Sequence, residues 1–407
     1  MNNHRNKWLT LLALVLAGEI IFSLPFHLSR YYRPSFLSTT NLSNTELGDI
    51  FAVYGITAMM AYFFGGPIAD RFRPRTLMTV SLITTSLGGL ILLSNPTVLQ
   101  LKILYGYWGL TTILLFWAPL IRSTREWGGT LFQGRAFGCL DGGRGLAAAV
   151  LASGGVTILS HSLESGNGIN TLIMYYIIAT FSASILILLV IPKADIATVS
   201  PDRSSRLTLV QNKFVWLQAG VLLVCYCCYK GLDNYSLYFN QVLGMSETES
   251  ARFAAGLAYA RPFSAIAAGL IADKFSPSKS ILVFFIVLIL AYLFPATSMP
   301  NQNHWLFVST IAVSGAGVFA LRGIYFAILE ESRIPRYQTG LAVGLISFVG
   351  YTPDIFFAPI AGRLLDSAPG VLGHQLYFQM LVFIAILGLI ISTIMIYLLA
   401  KRKNNVT

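Results

Sequence analysis

The chain of 407 residues is 55% hydrophobic and only 11% charged, whereas a typical soluble domain carries about 25% charged residues. This deficit excludes a single soluble domain and indicates a protein whose surface mostly faces lipid. The net charge of +11 does not indicate nucleic acid, because the basic residues lie mainly in short segments between apolar runs, where membrane proteins carry them.

Apolar runs of about 20 residues, the length that crosses ~30 Å of hydrocarbon, recur twelve times and predict twelve transmembrane helices. The predicted spans are 8–29, 46–68, 76–95, 101–121, 134–160, 170–192, 212–238, 247–271, 279–297, 304–329, 338–363 and 376–400. The first run follows basic residues and lacks a clear small-residue cleavage site. It is therefore predicted to be the first helix and not a cleaved signal peptide.

The basic residues predict the orientation of the helices. With both termini in the cytoplasm, cytoplasmic segments hold 19 of the 28 Lys and Arg residues. The outer segments hold only four, which are Arg33, Lys102, Arg252 and Arg363. Because positive residues are retained on the cytoplasmic side, this asymmetry predicts cytoplasmic termini.

A polar segment divides the chain near its middle. Residues 193–211 are short of large hydrophobic side chains, and this composition is typical of a linker. The expected organisation is an N-terminal six-helix bundle over residues 1–192, a cytoplasmic linker over 193–211, and a C-terminal six-helix bundle over 212–407.

An internal repeat supports two related halves. The segment LSNTE at 42–46 recurs as MSETE at 245–249, a shift of 203 residues, and GPIADRF at 66–72 recurs as GLIADKF at 269–275 at the same shift. The first pair of segments are S-x-x-E capping boxes, which begin helices. Two motifs at one shift near half the chain length indicate a duplication.

The segment GPIADRFRPR at 66–75 resembles the signature loop between helices 2 and 3 of the major facilitator superfamily. This resemblance covers the whole chain and implies an all-α membrane protein of twelve helices in two pseudo-symmetric six-helix bundles. It also implies that the loop and its repeat form a cytoplasmic gate, in which an acid at a helix end pairs with loop bases. The matching residues are Gly66, Asp70, Arg71, Arg75, Gly269, Asp273 and Lys274.

A narrower resemblance involves basic residues in helices 1 and 7. Arg30-Tyr31-Tyr32 and the segment YKGLD at 229–233 are similar to the organophosphate:phosphate antiporter branch of this superfamily. In that branch one basic residue in each of these helices holds the anionic head group of the substrate. The nearest matches in this chain are Arg30 and Lys230.

Ionisable side chains at bilayer depth are costly and require a structural or functional reason. The predicted spans hold five cations (Arg30, Arg144, Lys230, Arg261 and Arg322) and four acids (Glu19, Asp141, Asp233 and Asp354). Asp141 with Arg144 and Lys230 with Asp233 are three residues apart, so each pair is expected to neutralise itself on one helix face.

Subtracting these two pairs leaves three arginines, Arg30, Arg261 and Arg322, against two acids. Guanidinium groups match the oxygens of carboxylates, sulfonates and phosphates, and transporter sites of this architecture lie near the membrane midplane between the repeats. The surplus therefore predicts an anion site that includes Arg30, Arg261 and Arg322, and the resemblance to the antiporter branch adds Lys230. Tyr229 and Tyr235 flank the charged part of helix 7 and are predicted to contact the substrate.

Glu19 and Asp354 have no evident partner in their own helices. Burial disfavours the charged form of a carboxyl group, so both residues are candidates for proton coupling. For each residue, a structural role as a hydrogen-bonded acid remains open.

The function that these features favour is secondary active transport of a small organic anion by antiport or proton symport. The alternative is proton-coupled efflux of a drug-like or siderophore-like compound, and a ligand sensor is a third possibility. The sequence contains no phosphate loop, metal-ligand spacing or nucleophile elbow, so neither an enzyme nor a bound metal or cofactor is expected. The expected protein is a monomer in a bacterial inner membrane, with the lipid bilayer, the substrate and a proton or counter-substrate as its only partners, and no nucleic acid.

Overall fold

A computed structural model describes residues 2–128, 133–162, 168–192, 210–297, 304–332, 334 and 339–404. Within these ranges eleven helices are long and apolar enough to cross a membrane, and one bent pair of helices forms a twelfth span. We number the spans in chain order. α1 is Lys7–Ile20 with Ser23–Tyr31, followed by α2 Asn44–Gly65, α3 Pro74–Leu92, α4 Val98–Gly128, α5 Gly138–Ser162, α6 Gly168–Val190, α7 Lys213–Gln241, α8 Glu247–Phe275, α9 Pro277–Thr297, α10 His304–Ala327, α11 Ala342–Ser367 and α12 Val371–Arg402.

The twelve spans form two bundles with the same internal arrangement. In the first bundle α1 packs against α5 and α6, α2 against α4, and α3 against α6. In the second bundle α7 packs against α11 and α12, α8 against α10, and α9 against α12. Because each of these contacts of the first bundle has its counterpart in the second, the architecture confirms the pseudo-symmetry that the sequence repeat predicts. The expected linker at 193–211 lies mostly outside the described residues.

The repeated capping boxes begin equivalent helices. The Ser43 side chain accepts a hydrogen bond of 3.1 Å from the Glu46 N–H, and the Glu46 carboxylate accepts one of 2.9 Å from the Ser43 N–H. Ser246 and Glu249 form the same reciprocal pair at 3.3 and 3.0 Å. Each box satisfies N–H groups that the first turn of a helix leaves free, so the sequence prediction of these two helix starts is confirmed.

Two antiparallel helix pairs join the bundles. α2 packs against α11 and α5 packs against α8. Gly48 and Gly55 lie so close to α11 that a Cβ atom on either would be only 2.5 Å from the backbone of Ala358 or Asp354. The glycines therefore allow the two helices to approach through their backbones.

The contacts between the bundles are concentrated on one side of the molecule. We call this side, where α1 ends and α2 begins, the distal face, and the opposite side, which carries the ends of the chain, the terminal face. Ser35 donates a hydrogen bond to Glu247 (2.5 Å), and Asp366 accepts one from the N–H of Thr45 (2.6 Å), both at the distal face. The distal part of α11, Pro353–Ser367, packs closely against α2, whereas its other part, Thr339–Gly350, packs little against α2 among the described residues. The bundles are therefore packed more closely at the distal face than nearer the terminal face.

Candidate functional site

The bend in α1 positions the first charged residues of the site. The two parts of α1 meet at 42°, and a wide π-helical turn runs from Ser23 to His27. Pro25 has no N–H to donate, and Ser23 donates its hydroxyl to the carbonyl of Ile20 (2.6 Å). Both features interrupt regular helical hydrogen bonding and so account for the bend. Glu19 precedes the bend and Arg30 follows it.

The first charge cluster joins α1 to α7 and α11. Arg30 Nε contacts Asp233 Oδ1 at 2.5 Å across the two bundles. Lys230 Nζ lies 3.3 Å from both Asp233 Oδ2 and Asp354 Oδ1, and the Tyr226 hydroxyl donates to both Asp354 oxygens at 3.0 and 3.1 Å. The expected pair of Lys230 with Asp233 is thus present, within a larger chain of alternating charges.

The second cluster joins α5 to α8 and α10. Arg261 donates from NH2 to Asp141 Oδ1 at 2.6 Å, and Arg322 NH2 lies 3.9 Å from the same oxygen. Gly145 allows this crossing, because a Cβ at that position would be 2.7 Å from the Arg261 Cδ atom. Two cations of the second bundle therefore share one carboxylate of the first.

The third cluster lies within the first bundle. Glu19 Oε2 is 3.3 Å from Arg144 Nε, and Glu19 Oε1 is 3.4 Å from His27 Nε2. Both arrangements differ from the sequence expectation, in which Glu19 had no evident partner and Arg144 was paired with Asp141. The reason is that Asp141 and Arg144 lie on the same helix but face different neighbours, and each finds a closer partner on another helix.

Tyr229 connects the clusters. The Arg30 guanidinium lies 4.7 Å from the centre of its ring and the Arg322 guanidinium 3.9 Å, and its hydroxyl accepts a hydrogen bond of 2.7 Å from Arg30 NH1. Such stacking attracts a cation to the face of an aromatic ring. Tyr235 is buried, and its hydroxyl is 2.6 Å from the Ser314 hydroxyl.

A small cavity of about 30 Å³ lies between the bundles at this level. One part of its wall is polar and includes Glu19, Arg30, Arg261 and the two predicted tyrosines. The remainder is apolar and includes Leu232, Leu257 and Phe319, which come from the second bundle.

The predicted substrate residues meet in one layer, but with fewer free charges than expected. Arg30, Arg261 and Arg322 each lie within reach of an acid, and Asp354 contacts Lys230. The expectation of three unpaired arginines against two isolated acids is therefore wrong, since these residues pair with partners on other helices or, for Glu19, also beyond the bend of its own span. Within this layer of described residues, five cations still face four carboxylates, and the excess is one positive charge.

The predicted gate lies at the terminal face, away from this layer. Arg71, Asp273 and Lys274 are exposed and Arg75 is half-buried. The surroundings of Gly66 and the side chain of Asp70 are outside what the structure describes. Gly269 is half-buried with open space beside it. The pairing of acid and base in the first gate segment therefore stays a prediction.

Sequence reasoning missed three residues that make polar contacts in or near the site. His27 contacts Glu19, Tyr226 holds Asp354, and Asp366 accepts hydrogen bonds from the beginning of α2. An ionisable histidine inside a predicted span was a usable signal for the first residue. The other two act through partners more than a hundred positions away in the chain, and no local pattern in the sequence reveals such a contact.

Two relatives from Escherichia coli (strain K12) match nearly the full chain. "Inner membrane protein YihN" is 26% identical over 415 residues, covering 98% of both chains. "Inner membrane protein YqcE" is 27% identical over 406 residues, covering 96% of this chain and 94% of the relative.

Solved transporter structures share the fold. A bacterial homolog of the human lysosomal transporter Spinster, in an inward-facing and unoccupied conformation, has a TM-score of 0.70 at 14% identity and covers 97% of each chain. A variant of the nucleoside transporter NupG has a TM-score of 0.72 at 13% identity, covering 96% of this chain and 99% of its own. The family model for the Major Facilitator Superfamily matches residues 8–358. The chain is an integral membrane transporter and belongs to the Major Facilitator Superfamily.

Proposed function

We propose that this protein is a secondary active transporter of a small organic anion, carrying a phosphorylated, sulfonated or carboxylated metabolite by alternating access. The observation that carries the proposal is the excess of one positive charge in the layer between the bundles, where five cations face four carboxylates. Arg30, Arg261 and Glu19 of this layer line the cavity. An anion that enters this layer neutralises the excess, whereas a cation doubles it. Guanidinium groups also offer the paired donors that such head groups bind.

The arrangement of the bundles supports alternating access. They are packed more closely at the distal face than nearer the terminal face, so the cavity would exchange its contents through the terminal face in this conformation. With the cytoplasmic termini that the positive residues predict, this is the inward-facing state of a carrier in a bacterial inner membrane. We expect the carrier to act as a monomer.

The residues proposed to bind the substrate are Arg30, Lys230, Arg261, Arg322, Tyr229 and Tyr235. The first two are the positions that resemble the organophosphate:phosphate antiporter branch. Two acids, Asp233 and Asp354, balance these two cations. Arg261 and Arg322 share the single acid Asp141, so this pair carries more of the proposed attraction. Glu19 and Asp354 are proposed to accept a proton if the coupling is symport.

Efflux of a drug-like or siderophore-like compound is the second candidate, and the apolar part of the cavity wall favours it. Leu232, Leu257 and Phe319 would accommodate a hydrophobic body. The charged part of the wall is the observation against it, because an uncharged compound would leave the surplus cation unpaired.

Counterflow in proteoliposomes separates these proposals. Purified protein is reconstituted and loaded in turn with unlabelled phosphorylated, sulfonated and carboxylated metabolites, and uptake of the labelled compound is followed. We expect exchange of one anionic class in the parent and its loss in Arg322→Gln. Arg252→Gln, which removes an exposed arginine near the distal face, is the matched control and should exchange normally. Exchange of only neutral or cationic compounds would rule out the anion proposal.

A further inference from the structure

The Asp141 carboxylate occupies the position between Arg261 and Arg322 where an anionic head group would bind. We infer that Asp141 is a resident counter-ion, which the head group of the substrate displaces during transport. This inference rests on the proposed function and names the arginine pair, at the α5 interface, that anchors the substrate.

The geometry around Asp141 is that of an incompletely filled anion site. Its Oδ1 atom is 2.6 Å from Arg261 NH2 but 3.9 Å from Arg322 NH2. The Nε atoms of both arginines are buried and have no hydrogen-bond partner among the described residues. A buried donor without a partner is unfavourable, and at 3.9 Å Arg322 NH2 is too far from Asp141 Oδ1 for a hydrogen bond. An anion with two or three free oxygens would offer a partner to more of these donors.

The arginines are fixed, whereas the acid is accessible. The Arg261 and Arg322 side chains are only 5% and 13% exposed, but that of Asp141 is 38% exposed. Arg322 is held against the ring of Tyr229 and the stem of Arg261 against Gly145. A solute can therefore reach and replace the carboxylate without disturbing the packing of its two partners.

The other acids of the layer do not share this property. The Glu19, Asp233 and Asp354 side chains are only 6%, 10% and 13% exposed. Asp233 also bridges two cations at 2.5 and 3.3 Å, and Glu19 is held between Arg144 and His27. These acids are enclosed by their partners, so Asp141 is the acid that a substrate can displace.

Displacement would also affect the contact between the bundles. Asp141 belongs to α5 in the first bundle, and both arginines belong to the second. The contact of Asp141 with Arg261 therefore holds α5 against α8 in the present conformation. An anion bound by the arginines removes this link, so the loaded carrier can rearrange more easily than the empty one.

The test compares anion affinity in the parent and Asp141→Asn, both as purified full-length protein in detergent. The probes are inorganic phosphate, methanesulfonate and acetate at constant ionic strength, and the readout is the rise in the thermal unfolding midpoint with probe concentration. We expect Asp141→Asn to bind at least one probe about tenfold more tightly than the parent, because the competing charge is gone. Asp141→Glu, which retains the charge, should bind as the parent does.

Two further variants make the result specific. Asp49→Asn removes an acid that also contacts an arginine across the bundles, Arg363 at 2.9 Å, but at the distal face, and it should leave the affinity unchanged. Arg322→Gln in the Asp141→Asn background should abolish the gain. If Asp141→Asn does not yield folded protein, Asp141→Ser removes the same charge and is judged in the same way.

Unchanged affinity in the charge-removing variant, or no binding of any probe by it, overturns the inference. Failure of the proposed function would look different, because the parent would then exchange no anion in the counterflow assay. A parent that exchanges an anion and a charge-removing variant with unchanged affinity would contradict the role of Asp141 alone.

Discussion

The carboxylate of Asp366, at the end of α11, accepts a hydrogen bond of 2.6 Å from the backbone N–H of Thr45, at the beginning of α2. It also accepts bonds from the N–H and the side-chain amide of Asn44, at 3.2 and 2.9 Å. Arg33, which is buried, donates to the other side of that amide at 3.0 Å. An acid of one bundle thus caps a helix of the other. This contact exists only while the bundles are packed together at the distal face.

Replacing Asp366 should therefore open the distal face. Hydrogen bonds to a charged group contribute about 1.5–3 kcal/mol, so Asp366→Ala should raise the population of the distally open state about tenfold or more. A cysteine placed at Ser35, which is buried there against Glu247, reports the opening through its rate of reaction with a membrane-impermeant maleimide. Asp49→Asn, which breaks an ion pair at the exposed rim of the same helix pair, should change the rate little. Equal rates in both variants would contradict the capping role.

Removing Lys230 alone should destabilise the protein more than removing Lys230 together with the charge of Asp354. Lys230→Met leaves Asp354 buried without its cation, and breaking a buried pair costs about 3–5 kcal/mol. We expect Lys230→Met to lower the thermal unfolding midpoint in detergent clearly, and Lys230→Met/Asp354→Asn to recover part of the loss. Lys102→Met, at the beginning of α4, is the control and should have little effect. A double variant as unstable as the single one would refute the pairing.

Tyr229 should act mainly through its ring. Tyr229→Phe keeps the aromatic face between Arg30 and Arg322 and removes only the hydroxyl that accepts from Arg30. Tyr229→Leu also removes the cation–π contacts, each worth about 0.5–2 kcal/mol. Transport should fall a few-fold in Tyr229→Phe and at least about tenfold in Tyr229→Leu, measured as initial counterflow rates at several substrate concentrations. If Tyr229→Phe is the more impaired variant, the hydroxyl and not the ring is the essential group.

A methyl group should be tolerated less well at position 145 than at position 142, one helical turn away. A Cβ there would be 2.7 Å from Arg261 Cδ and 2.9 Å from Arg261 Cγ, whereas a Cβ at Gly142 would meet no described atom within 4 Å. Gly145→Ala should therefore displace Arg261 from Asp141 and slow counterflow several-fold, and Gly142→Ala should not. Both substitutions favour the helix equally, so a difference in activity isolates the contact with Arg261. Similar rates in both variants would count against it.

Glu19 can be tested as a proton-coupling residue by separating exchange from uphill uptake. Glu19→Gln cannot change its protonation, so it should retain counterflow but lose uptake driven by an imposed proton gradient. Asp354→Asn is tested in the same way. Proton-driven uptake that survives in both variants would remove these residues from the coupling mechanism and favour antiport.

Hydropathy predicted the helices well because lipid imposes a single requirement on every span, a continuous apolar run. The predicted start at 247 coincides with the observed start of α8 at Glu247, and the bend of α1 falls inside the predicted span 8–29. The repeat predicted the two-bundle arrangement for a related reason, since equivalent sequences form equivalent contacts. These parts of the structure follow from local rules.

The partners of the buried charges follow no such rule. Reasoning along one helix paired Asp141 with Arg144, three residues away, but the acid contacts Arg261, which is 120 positions distant. The i, i+3 rule gave the right result for Lys230 and Asp233 only because α7 keeps both on one side. Pairing across bundles depends on how the helices are rotated and on glycines such as Gly145 that allow close approach. The sequence of one helix does not contain this information.

The close approach of α2 and α11 has a mechanical consequence. At Gly48 and Gly55 the helices meet along bare main chain, and no side chain from these positions is wedged into the opposite helix. Helices that meet in this way can slide or separate without changes of side-chain rotamer. Resistance to their separation is therefore concentrated in a few polar contacts at the distal end. The rate at which α2 and α11 separate should therefore be set by the polar contacts at the distal end of the pair.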